Sequence, residues 1–282
     1  MRPSWLKAPV TGGFSAGKTR RVLERLGLNT VCSEACCPNR GHCYQRNTAA
    51  FLIMGTVCTR NCRYCAVDHG KPLPPDPGEP HRLAEAASAM GLRFVVVTSV
   101  TRDDLPDGGA ECFARVVGAL REGVPGIMVE VLTPDFMGRT ESLETVAAAS
   151  PHIFNHNLET VETLFPALRP GGDYSRSLKV LLDFSAMNTG IPVKSGLMLG
   201  LGETAPDIRR ALSDLRETGV SMLTLGQYLQ PSKEHARVHR FITPAEFEQW
   251  RTEALGMGFL TVASGPLVRS SFHADSYASE LL

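Results

Sequence analysis

Between residues 51 and 228, six short apolar runs alternate with five helix-like segments, and few folds accommodate that alternation. The runs at 51–57, 94–100, 127–132, 153–157, 193–199 and 222–228 predict buried strands. Segments 82–90, 111–121, 143–149, 174–187 and 207–217 read as helices between them. Strand and helix taken in turn imply parallel strands joined by right-handed crossovers. The expected fold class is α/β, an incomplete six-stranded (β/α) barrel, and 282 residues with 43% hydrophobic content can bury one such core. A helix at 247–256 and a short strand at 260–263 lead out of it into a tail. The chain divides into an N-terminal cysteine-rich extension over 1–50, the barrel over 51–230 and a C-terminal extension over 231–282.

In parallel barrels the chemistry lies at the C-terminal ends of the strands and in the loops after them. Cys58 follows the first run directly, within a stretch from Cys32 to Cys65 that holds seven of the eight cysteines. Six of the seven form two triplets: Cys58, Cys62 and Cys65 are spaced CxxxCxxC, and Cys32, Cys37 and Cys43 are spaced CxxxxCxxxxxC. Each triplet supplies three thiolates, one short of a closed four-coordinate site. All-thiolate ligand sets favour zinc or an iron-sulfur cluster. Structural zinc usually closes its tetrahedron with paired CxxC motifs, and here the single two-residue gap already belongs to CxxxCxxC. A cubane on three cysteines leaves one iron open to a further ligand.

At Cys58, Cys62 and Cys65 the chain resembles the radical S-adenosylmethionine (SAM) enzymes. The resemblance implies that SAM chelates the open iron and that one electron from the reduced cluster releases a 5′-deoxyadenosyl radical. Tyr64 stands where that family places an aromatic beside the adenine. Arg60 and Arg63 either offset the cluster's charge or are plain surface arginines. The run from Thr30 to Asn39, followed by Cys43, narrows the likeness to the auxiliary-cluster motif of lipoyl synthases. The tail Arg269-Ser270-Ser271-Phe272-His273-Ala274 is similar to their RSSYxA motif. By that alignment Ser271 completes the auxiliary cluster held by Cys32, Cys37 and Cys43, with Ser270 the second choice. Two 4Fe-4S clusters and SAM are the implied cofactors.

The remaining loops extend the resemblance. Thr98 and Ser99 open the polar run Thr98–Asp104, which fits a loop meeting the amino-acid part of SAM. The run Asn155-His156-Asn157-Leu158-Glu159-Thr160 is similar to the NHNLxT run of lipoyl and biotin synthases, which implies that Asn157 and Glu159 hydrogen-bond the SAM ribose. Arg176 matches the family arginine that meets the SAM carboxylate, and a helix-surface salt bridge is the competing account. Residues 194–204 and 227–232 match the family's fifth and sixth strands and the loops after them. The glycines of the former are expected to let the backbone approach a ligand. His156 alone reads as a core histidine, Met198 and Met222 as core filling, and Cys112 as a small buried hydrophobe. Gly12 to Thr19 fits GxxxxGK(S/T), but no apolar strand leads in and no long apolar helix follows, which speaks against a nucleotide loop. Val22, Leu23 and Leu26 among basic residues predict a short amphipathic helix there.

The function implied is insertion of sulfur at C6 and C8 of an octanoyl chain carried on a lysine, with the auxiliary cluster as donor. Implied partners are octanoylated lipoyl-carrier domains, namely 2-oxoacid dehydrogenase E2 subunits and the glycine cleavage H protein, together with an electron donor and a cluster-repair protein. Zero net charge and a pI near 7.1 point to neither nucleic acid nor an anionic membrane. No signal-peptide core or membrane span is read in the chain, and a reducing cytoplasmic location is expected. Departures from the family pattern are Cys36 beside Cys37, Phe272 in place of the tyrosine, and Arg237 where proline is expected. Biotin synthase shares the NHNLxT and GLGET runs, but its additional cysteines lie on later strands, which here have none. A zinc-bound interaction module is the non-enzymatic alternative.

Overall fold

The computed structural model describes residues 3–6, 14–45 and 49–271. Gly12 and Gly13 of the glycine-rich run and Phe272, His273 and Ala274 of the tail motif lie outside them. The chain forms two compact units. One comprises Ala8–Thr59 and Val67–Phe154, the other Met1–Lys7, Arg60–Ala66 and Asn155–Leu282.

The N-terminal-half unit starts with α1 (Phe14–Arg25), the expected amphipathic helix, with Leu23 buried and Arg20 and Arg25 exposed. Phe14 to Thr19 are already helical, so that part of the glycine-rich run is no phosphate loop. The Thr19 hydroxyl donates instead to the Tyr44 carbonyl at 3.0 Å. β1 (Asn29–Thr30), α2 (Val31–Glu34) and α3 (Arg40–Gln45) carry the first cysteine triplet. β2 (Ala50–Ile53) pairs antiparallel with β1. β3 (Val57–Cys58) and β4 (Asp68–His69) form a separate parallel pair. Next come α4 (Glu79–Met90), β5 (Phe94–Ser99), α5 (Ala110–Gly123), β6 (Met128–Leu132), α6 (Thr140–Ala148) and β7 (Ile153–Asn155). β5 is parallel to both β2 and β6.

The first expected strand is cut short. It stops at Ile53 because Met54 and Gly55 take left-handed φ values of 66° and 90°, which extended backbone cannot contain. A buried charged group holds each side of that kink. Glu79 Oε2 accepts from the Met54 N–H at 2.9 Å, and the Arg102 guanidinium reaches the Met54 carbonyl at 3.4 Å. Cys58 therefore closes the separate short strand β3 rather than following directly on a long first strand.

β7 carries the chain into the C-terminal-half unit, which contains α7 (Phe165–Leu168), α8 (Tyr174–Ala186), β8 (Val193–Leu199), α9 (Ala205–Glu217), β9 (Met222–Gln227), α10 (Pro244–Gly256) and β10 (Thr261–Gly265). β8, β9 and β10 are parallel neighbours, so the expected short strand before the tail extends the sheet. α9 shows why these segments become helices. Thr204 caps it with a reciprocal bond to Asp207, Pro206 stands in its first turn, and Ile208, Ala211, Leu212 and Leu215 bury one face. Met222 is buried and Met198 packs beside a buried cluster, both as core filling. Among the described residues no helix is long and apolar enough to cross a membrane.

Candidate active site

In the N-terminal-half unit, the first triplet is folded back on itself by its own backbone. The Cys37 N–H donates to the Cys32 carbonyl at 3.1 Å, and the Cys43 N–H donates to the Asn39 carbonyl at 2.9 Å. Thr30 starts the turn, capping the Ser33 N–H, and its hydroxyl lies 2.8 Å from the Tyr44 hydroxyl. Cys32 is buried, Cys37 and Cys43 are half-buried, and the additional Cys36 is exposed at φ 50°. Burial pushes the Cys32 thiol up to about 11, and the neighbouring Cys37 adds to the shift. A bound cation reverses that penalty by deprotonating the thiol outright.

Cys58 is held against the loop that follows β5. The Thr101 N–H donates to Cys58 Sγ at 3.3 Å, and Thr59 gives the Thr101 carbonyl both its N–H and its hydroxyl at 3.0 Å. The Asp103 N–H returns to the Thr59 hydroxyl at 3.1 Å. Thr98 spends its hydroxyl on the Leu132 carbonyl at 2.9 Å, a bond between neighbouring strands. Ser99, next to it, keeps a buried hydroxyl with no hydrogen-bond partner among the described residues.

The C-terminal-half unit holds Cys62 and Cys65, with a turn bond from the Cys65 N–H to the Cys62 carbonyl. The loop after β9 clasps this segment. The Ala236 N–H donates to the Arg63 carbonyl at 2.8 Å, and His235 Nε2 lies 2.9 Å from the Cys65 carbonyl while its Nδ1 meets Ser232. Tyr64 packs against Leu168, Leu201 and Tyr228, and burial raises its phenol well above the usual value. Arg60 is buried whereas Arg63 is exposed, so the plain surface account holds for Arg63 alone.

Asn157 and Glu159 meet in the same unit, where Asn157 Nδ2 donates to Glu159 Oε1 at 3.1 Å. Asn157 Oδ1 is buried without a partner among the described residues. Glu159 stands at φ 71°, fixed by backbone bonds to Gly196 and Met198. Its carboxyl is raised by burial, against the opposing pull of Arg169 and Asn157. Gly196 makes the arrangement possible, since a Cβ there would come within 2.3 Å of Thr224 Oγ1 and 3.0 Å of Asn157 Oδ1. An amide oxygen and a carboxylate side by side, short of donors, suit a vicinal diol. Arg176 is less deeply placed, with its guanidinium on the Gly171 carbonyl at 2.9 Å.

Arg169 escaped the sequence reading. It is buried, donates to the Asn157 and Leu158 carbonyls at 3.2 Å, and lies over the Phe165 ring. An arginine before Pro170 and two glycines was the available signal. Gly200 and Gly202 serve a different end from the one expected. Glu203 accepts from the N–H groups of Gly200, Leu201 and Gly202, and a Cβ at Gly200 would strike Gln227 at 2.2 Å. These glycines close a turn against protein. Among the described residues no three Cys, His, Asp or Glu side chains are already positioned around a common ion position.

The Radical SAM superfamily model matches residues 52–215. The solved structure of methylornithine synthase (PylB) superposes with a TM-score of 0.58 over 96% of this chain and 89% of that one at 14% identity, a likeness of fold. The family match and the fold define a radical SAM enzyme with the expected α/β fold of mostly parallel strands. Lipoyl synthase of Methylococcus capsulatus is 52% identical over 279 residues, 99% of this chain and 87% of that one. Lipoyl synthase of Thiobacillus denitrificans is 52% identical over 98% of this chain and 89% of that one. The chain belongs to the lipoyl synthase family. It is a sulfurtransferase that works with 4Fe-4S clusters and SAM, which removes the zinc-module and biotin synthase readings.

Proposed function

We propose that this chain converts octanoyl-lysine on a carrier domain to the lipoyl group, with Cys58, Cys62 and Cys65 holding the SAM-binding cluster and Cys32, Cys37, Cys43 and Ser271 holding the auxiliary one. The observation that carries this assignment is the pair of thiol triplets, neither tied up in a disulfide, in a chain 52% identical to lipoyl synthases. The bound clusters and SAM supply one-electron chemistry that opens unactivated C–H bonds, and the sulfur itself. The protein's own residues bind, orient and exclude water. Asn157 and Glu159 would take the ribose diol, Tyr64 would flank the adenine, and Ser99, in the loop that Thr98 opens, would meet the amino-acid end, the Thr98 hydroxyl being engaged by the Leu132 carbonyl. Arg176, whose guanidinium stands on the Gly171 carbonyl, would meet the carboxylate. Segments 1–50, 51–230 and 231–282 divide the work into auxiliary-cluster ligands, SAM chemistry and the returning serine.

Carrier partners are octanoylated E2 subunits and the H protein, with an electron donor and a cluster-repair protein in support. Eight cysteines with no disulfide among them suit a reducing compartment, and the cytoplasm is the proposed location. An anaerobic assay with an octanoyl-lysine peptide, SAM and a strong reductant is expected to yield 5′-deoxyadenosine, methionine and a dithiol-bearing peptide. Deoxyadenosine without sulfur in the peptide would sink the assignment. Replacing Cys58, Cys62 and Cys65 by alanine should abolish SAM cleavage, whereas replacing Cys32, Cys37 and Cys43 should stop sulfur insertion while cleavage continues. Equal loss of cleavage in both folded variants would refute the division of labour.

A further inference from the structure

The tail beyond β10 is seated on its own unit at three successive points. Its main chain crosses β9 at Gly226, where a Cβ would come within 2.3 Å of the Val268 carbonyl oxygen. Only a bare Cα lets the chain pass so close. Two residues later Ser270 is gripped twice. Its carbonyl oxygen accepts from Lys194 Nζ at 2.7 Å, and its hydroxyl accepts from Asn157 Nδ2 at 2.7 Å. Lys194 projects from β8 and is 2% exposed.

An ammonium-to-carbonyl bond is charge-assisted, and burial removes the water that would compete for it. Holding the carbonyl of one residue fixes the peptide plane through which the next residue leaves. Ser270 thus spends both oxygens on the barrel, and its neighbour does not. Among the described residues the Ser271 hydroxyl has no hydrogen bond. The two adjacent serines are thereby given different tasks.

We propose that Lys194 is a positioning residue for sulfur transfer: with Gly226 and Asn157 it seats Val268 to Ser270 and so fixes the main chain that carries Ser271, the proposed fourth ligand of the auxiliary cluster. This rests on the reading of Ser271 as a ligand of that cluster. Lys194 touches neither SAM nor the octanoyl chain in this scheme. Its loss separates radical generation from sulfur insertion.

The test uses cluster-loaded full-length protein and two readouts. Hydrogen-deuterium exchange over residues 266–271 should accelerate about tenfold or more in Lys194→Met, the loss expected for one buried charge-assisted hydrogen bond. In the anaerobic peptide assay, deoxyadenosine released per lipoyl product should rise by a similar factor. Gly226→Ala, which displaces Val268 without touching Lys194, should move both readouts the same way and carries the test if Lys194→Met fails to fold. Ser271→Ala separates the two levels of the argument. Normal lipoyl yield from Ser271→Ala would overturn its role as ligand. Loss of product in Ser271→Ala, with both readouts unchanged in folded Lys194→Met and in Gly226→Ala, would overturn the positioning role alone.

Discussion

Met54 concentrates at one residue the conflict between strand and loop. Its backbone is left-handed, and the cost of that conformation is met by Glu79 on its N–H and Arg102 on its carbonyl. Glu79→Ala leaves a buried N–H without an acceptor and should cost ~1–3 kcal/mol in a urea unfolding experiment. Glu79→Gln keeps an acceptor and should cost less. Burial raises the Glu79 carboxyl above its ordinary value, a shift only partly opposed by the Met54 N–H. The folded state then holds that proton more tightly than the unfolded state, so the stability linked to it is present below the unfolded value and lost as pH rises through the raised one. Glu79→Gln should flatten this part of the pH-stability curve, and an unchanged slope would show that Glu79 does not titrate there. No sequence rule singled out Glu79 or Arg102, because each acts on a backbone kink that exists only after folding.

At the scale of elements, local chemistry was legible wherever the chain closes its own hydrogen bonds. Thr204 and Asp207 stand three apart ahead of an apolar stripe, and the structure caps α9 at that point. Thr204→Ala should cost about 1 kcal/mol and lower Tm by roughly 2 °C, read by calorimetry. A Tm unchanged within error would mean that water replaces the cap at no cost. The loop after β9 was harder to read. Gln227 donates to the Leu199, Tyr228 and Arg240 carbonyls and accepts from the Ile242 N–H, tying three segments together. Its partners lie up to 28 residues away in the chain. Tyr228, pushed up to about 12 by burial with Cys65 adding to the shift, belongs to the same set of long-range contacts.

Over the whole molecule, ligand and fold are thermodynamically linked. A ligand that binds only the folded chain stabilises it by mass action, about 2.7 kcal/mol at a hundredfold excess over Kd. SAM should therefore raise the unfolding midpoint of cluster-loaded protein, and most of that gain should vanish when Cys58, Cys62 and Cys65 are alanine. An equal gain in both proteins would mean that SAM binds without help from the open iron. Asn157→Ala should weaken the gain too, because it removes the partner-seeking Oδ1 and the bond to Glu159 together.

By itself the sequence settled what depends on spacing and on local pattern. The apolar runs and helical stripes placed the long helices and the parallel strands within a few residues, but not the short elements β1, α2, α3, β3, β4 and α7, since burial of a long face needs a period that is visible in the letters. The triplets pointed to thiolate-held zinc or an iron-sulfur cluster, because ligand number and type are properties of residues, and the likeness of triplets and tail to the lipoyl synthases named the chemistry. Tertiary structure alone decided where strand β2 ends, which glycines serve packing, and how two neighbouring serines part company. Each of those outcomes is a contact between groups far apart in the chain, such as Lys194 with Ser270 or Glu79 with Met54. Such contacts leave no period in the sequence, and only the folded backbone brings their atoms within hydrogen-bond distance.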